Sequence, residues 1–274
     1  MRRAFDVLLV AAAAVAFAFL LVPLLALFLR VSPTTLVSQL GDEAARDALL
    51  VSLKTSLIAH VFILGFGTPV AYLLATRRFR GRRLLVAAVE LPLVLPPAVA
   101  GLALLAAFGR RGLLGDSFDT LGFSLPFTQA AVVVAIVFVA SPFYVRQAIA
   151  AFGAVDPGLL DASRTLGAGP ARTFVRVALP VAAGGLAAGS SLAWARGLGE
   201  FGATIIFAGS FPGDTQTAPL AIYAQLNLDF DVALALGTLL VLVSVTVLAA
   251  VSLLPSWTRF TQTSLTTSAP SVSR

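Results

Sequence analysis

A chain of 274 residues with 58% apolar side chains, 12% charged ones and a mean hydropathy of +0.96 has about half the charge of an ordinary soluble domain. It belongs in a membrane. The absence of cysteine and the presence of one histidine, His60, exclude disulfide frameworks and thiolate metal sites and leave little from which to build a Ser/His/Asp triad.

A spanning helix needs about 20 apolar residues. Six stretches free of Asp, Glu, Lys and Arg meet or approach that length: residues 7–29, 55–75, 91–108, 127–145, 177–195 and 232–254. The expected fold class is therefore an all-α integral membrane protein with six transmembrane helices. The first stretch exceeds the roughly 7–15 apolar residues of a signal peptide and reads as a retained helix. In the second, Lys54 stands at one end, where its stem can snorkel to the headgroups, and His60 reads as a hydrogen-bonded residue between helices. The third extends back to Leu84 if Glu90 is tolerated, and Glu90 is expected to pair with the arginines of residues 77–83 (RRFRGRR). Pro92, Pro96 and Pro97 remove backbone donors from this third span, which fits either kinked packing or the lining of a water-filled path. In the fifth, Gly185, Gly189 and Ala193 form a small-xxx-small stripe that predicts close helix packing. The Ser/Thr-rich tail reads as disordered, giving one polytopic domain over residues 1–254 and a tail over 255–274.

The basic residues set the orientation. With the N-terminus in the cytoplasm, thirteen lie inside: Arg2, Arg3, the five of residues 77–83, Arg146, Arg164, Arg172, Arg176, Arg259 and Arg274. Only Arg30, Arg46, Arg110 and Arg111 lie outside, so both termini are expected to be cytoplasmic. The formal charge of +6 is thus a record of membrane sidedness, and no nucleic-acid partner is expected.

Two loops are too patterned to be slack connectors. In the cytoplasmic loop 146–176, Asp156 suits an N-cap, Pro157 a first helical residue and Gly167 a left-handed terminator, which predicts a short helix. Its spacing puts Leu159, Ser163 and Leu166 on one face, with Asp161 and Arg164 elsewhere. A second helix is expected from Gly169-Pro170 into Leu179-Pro180. The external loop 201–231 follows the run Gly199-Glu200-Phe201-Gly202-Ala203-Thr204, passes through Pro212-Gly213-Asp214-Thr215-Gln216-Thr217 and gives a short helical stretch over 219–227. Arg196 and Glu200 lie one turn apart and form either a self-neutralising pair or an anion contact, pairing being the favoured reading.

The order Asp161-Ala162-Ser163, three residues, Gly167, nine residues, then Val177-Ala178-Leu179-Pro180 resembles the EAA loop of ABC-transporter permeases. It departs from that pattern in Asp161 for Glu, Ser163 for Ala and Val177 for Ile. The GEFGAT and PGDTQT runs, with Leu93-Val94-Leu95-Pro96-Pro97, resemble the molybdate-type branch, and sulfate permeases share GEFGA. The resemblance covers roughly residues 48–254 and implies a permease fold of the type I importer kind in the cell membrane. It implies that Asp161, Ala162, Ser163, Gly167, Val177, Leu179 and Pro180 couple the chain to an ATPase, and that Arg196, Gly199, Glu200, Phe201, Gly202, Ala203 and Thr204 line a pathway or gate. The implied partners are a second copy of the chain, two ATP-binding cassette subunits and an extracytoplasmic oxyanion-binding protein, in a lipid bilayer. The chain has no G-x-x-x-x-G-K-[ST] phosphate loop, so no cofactor is expected on it, and ATP and magnesium belong to the partner ATPase.

Two other classes compete. A secondary transporter or channel should display inverted repeats and titratable groups near the midplane, and an intramembrane enzyme needs paired carboxylates, a metal cluster or a nucleophile with its base. Neither pattern is evident. The expected substrate is a tetrahedral oxyanion, molybdate with tungstate beside it, and sulfate as the alternative.

Overall fold

The computed structural model describes residues 2–253, and these form helices with no strand among them. In chain order they are α1 (Arg2–Arg30), α2 (Pro33–Gly41), α3 (Glu43–Thr76), α4 (Arg82–Val94), α5 (Pro97–Phe108), α6 (Gly115–Thr120), α7 (Gln129–Gly153), α8 (Pro157–Thr165), α9 (Pro170–Thr173), α10 (Leu179–Leu198), α11 (Gly202–Phe207), α12 (Ala218–Gln225) and α13 (Phe230–Leu253). A π turn, Phe174–Ala178, joins α9 to α10 without a break. The tail expected to be disordered, 255–274, lies outside the described residues.

The core is a three-helix contact with α7 in the middle, between α3 and α10. Of the most apolar stretch of α7, 56% is buried, against none of that of α1, which packs along α13. Small residues bring α10 onto α7. A Cβ on Gly185 would come within 2.5 Å of Ala151 Cβ, on Gly189 within 2.9 Å of Gln147 Cβ, and on Gly197 within 2.9 Å of Ile136 Cγ2. The predicted stripe therefore extends one step past Ala193, which is itself buried. On the other side of α7, Tyr144 lies on Gly67 of α3, and its hydroxyl shares a 2.6 Å hydrogen bond with Thr68. His60 closes the triangle from α3 to α10 through a 2.7 Å hydrogen bond with Ser190 and an edge-to-face contact with Trp194. The role read for His60 is the one it has.

α1, α3, α7 and the run Pro170–Leu198 are each long and apolar enough to cross a bilayer, and they take in the expected stretches at 7–29, 55–75 and 177–195 and, except for Phe127 and Thr128, the one at 127–145. The third expected span is different. It is broken into α4 and α5, bent by 119° to one another, so that pair counts as a fifth span only when both arms are taken together. The cause is local: Pro96 and Pro97 supply no N–H, and Leu95 and Pro96 take the extended backbone (ψ 131° and 138°) that residues before proline prefer. α13 contributes a shorter apolar stretch, Phe230–Thr246.

Two of the expected charge placements change. Glu90 pairs with Arg146 of α7 at 3.6 Å rather than with residues 77–83, because α4 lies along α7. Lys54, about three turns into α3, donates to Gln129 Oε1 at 2.8 Å and so ties that helix to the start of α7 instead of only reaching for headgroups.

Overpacking a close helix contact costs about 1–3 kcal/mol. Gly189→Leu should accordingly lower the apparent melting midpoint of the purified protein by several degrees, while Gly65→Ala, where a Cβ meets nothing within 4 Å, should leave it unchanged or raise it. Fluorescence-detected thermal unfolding in detergent measures both.

Candidate functional site

The loop after α7 is a built lever. Asp156 Oδ1 accepts from Gly158 N at 2.9 Å and caps α8, with Pro157 at its first position. At the other end, Gly167 N donates to Arg164 O (2.9 Å) and Ala168 N to Ser163 O (3.1 Å), around a left-handed Gly167 with φ +82°. These two bonds make a Schellman stop, as the glycine predicted. The face that Leu159 and Leu166 share is the open one. Leu160 is buried, whereas Leu159 and Leu166 are 46% and 87% exposed. Ser163 shares a 3.1 Å hydrogen bond with Thr173, and this link from α9 turns the Leu160–Ser163 side inward. Asp161 and Arg164 pair at 2.9 Å on the open side, and Ala162 is exposed between them.

Beyond α8 the chain climbs straight into α10. Pro180 cannot donate, and its ring would collide with the carbonyl four residues back; widening the turn so that Leu179 N donates to Phe174 O relieves the crowding. Val177 and Leu179 are half-buried against the core there. Phe174 stacks near Tyr72 (4.7 Å) and Phe152 (6.1 Å), which themselves meet edge to face at 5.2 Å. This clamp fixes the ends of α3 and α7 to the root of α10. It was not foreseen, since three aromatics so far apart in sequence carry no local signal.

At the opposite end of α10 the GEFGAT run folds back into the protein. Glu200 is only 2% exposed, and its carboxylate has two tasks. Oε1 accepts from Ala203 N at 2.7 Å and so caps α11; Oε2 lies 2.6 Å from Arg196 Nη2 in an ion pair that is off the hydrogen-bond axis. The favoured pairing of Arg196 with Glu200 is the arrangement observed. Gly199 ends α10, and the Phe201 ring packs on Tyr223 at 5.0 Å.

α11 is seated on α5. A Cβ on Gly202 would overlap Pro97, and one on Gly101 would come within 2.8 Å of Ile206 Cβ and 2.9 Å of Ala203 O. Ala203 and Thr204 are fully buried, and Thr204 Oγ1 has no partner. Gly202 and Ala203 thus join α11 closely to α5, with Thr204 buried beside them. Next comes the Phe211–Thr217 turn, where the Phe211 carbonyl accepts from Asp214, Thr215 and Gln216 and Thr215 Oγ1 accepts from Phe211 N. The following helix is capped from elsewhere: Ser52 of α3 accepts from Ala218 N at 2.7 Å. No sequence rule points to a cap 166 residues away.

Replacing Glu200 separates its tasks. Glu200→Gln keeps a cap acceptor and loses the ion pair; Glu200→Ala loses both and leaves Arg196 alone. The alanine variant should melt lower than the glutamine variant by an amount corresponding to about 1 kcal/mol, the worth of a helix cap. Equal midpoints in the same thermal assay would remove the capping role.

Comparison with known proteins agrees with this geometry. Residues 67–259 match the family described as binding-protein-dependent transport system inner membrane component. The chain is 43% identical over 233 residues to the Molybdenum transport system permease protein ModB of Mycobacterium tuberculosis, covering 85% of this chain and 88% of that protein. It is 36% identical over 222 residues to the Probable sulfate transport system permease protein cysT of Nephroselmis olivacea, covering 81% and 78%. Its fold is similar to that of a chain in the crystal structure of a bacterial ABC transporter involved in the import of the acidic polysaccharide alginate, with a TM-score of 0.73, 17% identity and coverage of 94% and 97%. The chain belongs to the family of binding-protein-dependent transport system inner membrane components, the multi-pass membrane subunits of ABC importers.

Proposed function

We propose that this chain is the permease subunit of an ATP-driven importer of a tetrahedral oxyanion, molybdate with tungstate as a close analogue. The observation that carries the reading is the 43% identity to ModB across 85% of the chain, which takes in both the GEFGAT run and the PGDTQT turn. Six spans, cytoplasmic termini and a domain over residues 1–254 complete the proposed topology, with the broken α4–α5 pair as the third span and α13 as the sixth. Two copies form the pathway, two ATP-binding cassette subunits hold ATP and magnesium, and an extracytoplasmic oxyanion-binding protein delivers the anion. Sulfate is the second reading, supported by the 36% identity to cysT.

The geometry suits such a division of labour. Arg196 is neutralised by Glu200, so the outer end of α10 offers the anion a weak attraction rather than a trap. The exposed Leu159, Asp161, Ala162 and Leu166 of α8 give a partner subunit an apolar and charged surface. Gly167, Val177, Leu179 and Pro180 then transmit its displacement: Gly167 fixes the turn, and the others form the root of α10.

Two outcomes are expected. Gly167→Pro forbids the left-handed φ, and Asp161→Lys replaces the attraction to Arg164 with repulsion; each should leave the protein folded in the membrane while lowering substrate-stimulated ATPase activity of the assembled transporter severalfold. Normal coupling in both variants overturns the role of α8. Deleting the gene should produce a molybdoenzyme deficiency rescued by added molybdate, and a sulfur-source requirement with normal molybdoenzymes would reverse the substrate assignment.

A further inference from the structure

The oxyanion reading leaves residues 77–83 without a task. Five arginines in seven residues repel one another, yet the chain holds them in a defined turn. Arg77 N donates to Leu73 O, and Arg82 Nε returns to Leu74 O, so the loop itself satisfies two late carbonyls of α3. Arg82 N bonds Phe79 O at 3.3 Å, and Gly81 takes φ +88° where no neighbour comes within 4 Å of a Cβ position. Glycine is there for conformation alone. The turn shapes an open cleft of about 350 Å³ lined by Arg78, Phe79, Gly81, Arg82, Arg83 and Leu84.

Among the described residues no carboxylate pairs with this charge. Among the described residues the ion pairs are Arg146–Glu90, Arg164–Asp161 and Arg196–Glu200, and none involves residues 77–83. Arg77, Arg78, Arg80 and Arg83 are exposed. Between them stand apolar side chains that are also exposed: Phe79 at 39% and Leu84 at 76%. The cluster sits where α3, a span of the bilayer, gives way to α4.

We propose that this turn is a binding site for an anionic phospholipid, with the guanidinium groups of Arg78 and Arg83 at the cleft, and the exposed Arg80 between them in sequence, holding the headgroup phosphate. A guanidinium matches a phosphate with two parallel hydrogen bonds. Basic residues beside a span attract anionic lipid, each contributing a factor of about five near the surface. Phe79 and Leu84, interleaved with the arginines at the level where a span ends, suit the boundary between headgroups and acyl chains. A soluble phosphate has no use for them. The bound lipid pins the joint between α3 and α4 at the interface. The site needs only that α3 span the bilayer, so it stands or falls separately from the choice of transported anion.

The test is native mass spectrometry of the full chain, with any subunits that co-purify, after delipidation and titration with phosphatidylglycerol or phosphatidylcholine. The triple variant Arg78→Gln, Arg80→Gln, Arg83→Gln leaves Arg82 and its bond to Leu74 intact. It should retain about tenfold less phosphatidylglycerol than the wild type at equal lipid, with phosphatidylcholine retention unchanged, and the corresponding triple lysine variant should fall between. Raised salt should reduce wild-type retention. Should the triple glutamine variant fail to fold, Arg80→Gln and Arg83→Gln singly are each expected to lose severalfold. Unchanged phosphatidylglycerol retention in these variants overturns the proposal. So does displacement by inorganic phosphate at equal concentration, which would mark a soluble-anion site, and so does loss of an ATPase subunit with lipid retention intact, which would mark a protein-docking surface.

Discussion

Inside a bilayer two helices gain nothing from being apolar, because the lipid tails they leave are as apolar as the side chains they meet. The fold therefore depends on how closely α10 can approach α7. Gly185, Gly189 and Gly197 remove the side chains that would hold the backbones apart, and α7 meets them with Ala151, Gln147, and Ile136 with Ala140. Close approach multiplies small dispersion contacts, each of about 0.1–0.2 kcal/mol, until they outweigh contacts with lipid. On the far side of α7, Tyr144 on Gly67 repeats the device with an aromatic ring in place of a backbone. His60, Ser190 and Trp194 then join α3 to α10 directly, so the three helices brace one another in a closed triangle.

The second constraint is that backbone polar groups at membrane depth must find partners. The break at Leu95 and Pro96 frees carbonyls that a continuous helix would have used, and such a break is tolerated only beside protein or a wet cavity. Here α5 turns through 119° and meets α11, another short helix that re-enters from the end of α10. Gly101 and Gly202 let the two interlock, and Glu200 takes up an amide at the start of α11. The carboxylate that caps this helix also pairs with Arg196, so one buried charge is balanced and one helix end is satisfied by the same side chain.

What could be read in the sequence was whatever local chemistry decides. Asp156, Pro157 and Gly167 bracket a helix by their own conformational preferences, and α8 lies between them. Four apolar stretches became spans because length and composition suffice for that. The third is bent into two arms, because hydropathy counts side chains and says nothing of backbone direction; Pro96 and Pro97 announce a break but not its 119° angle. The inner face of α8 is not legible in its own spacing, because Thr173, in the next helix, decides it. The partner of Glu90 was sought among the arginines nearest in sequence, whereas the packing of α4 along α7 delivers Arg146. The cap that Ser52 gives to α12 and the clamp of Tyr72, Phe152 and Phe174 are likewise products of tertiary packing.

These parts form one mechanical path. From Pro170 to Leu198 the chain is a helical run of 29 residues, about 40 Å long, interrupted only by a widened turn. One end is tied to α8 by the bond between Ser163 and Thr173, and the other passes through Gly199 and Glu200 into α11. A displacement of α8 must be absorbed somewhere along that rod or emerge at its far end. The widened turn is the obvious place for absorption, but Tyr72 and Phe152 clamp Phe174 there, and the glycine seam binds the shaft to α7. At the far end the shaft passes into α11 through one ion pair and one capped amide, and α11 rests on α5 and α7 with Phe201 on Tyr223. A displacement entering at α8, the partner surface proposed above, would therefore be carried along the shaft to α11 and the α5 arm on which it packs.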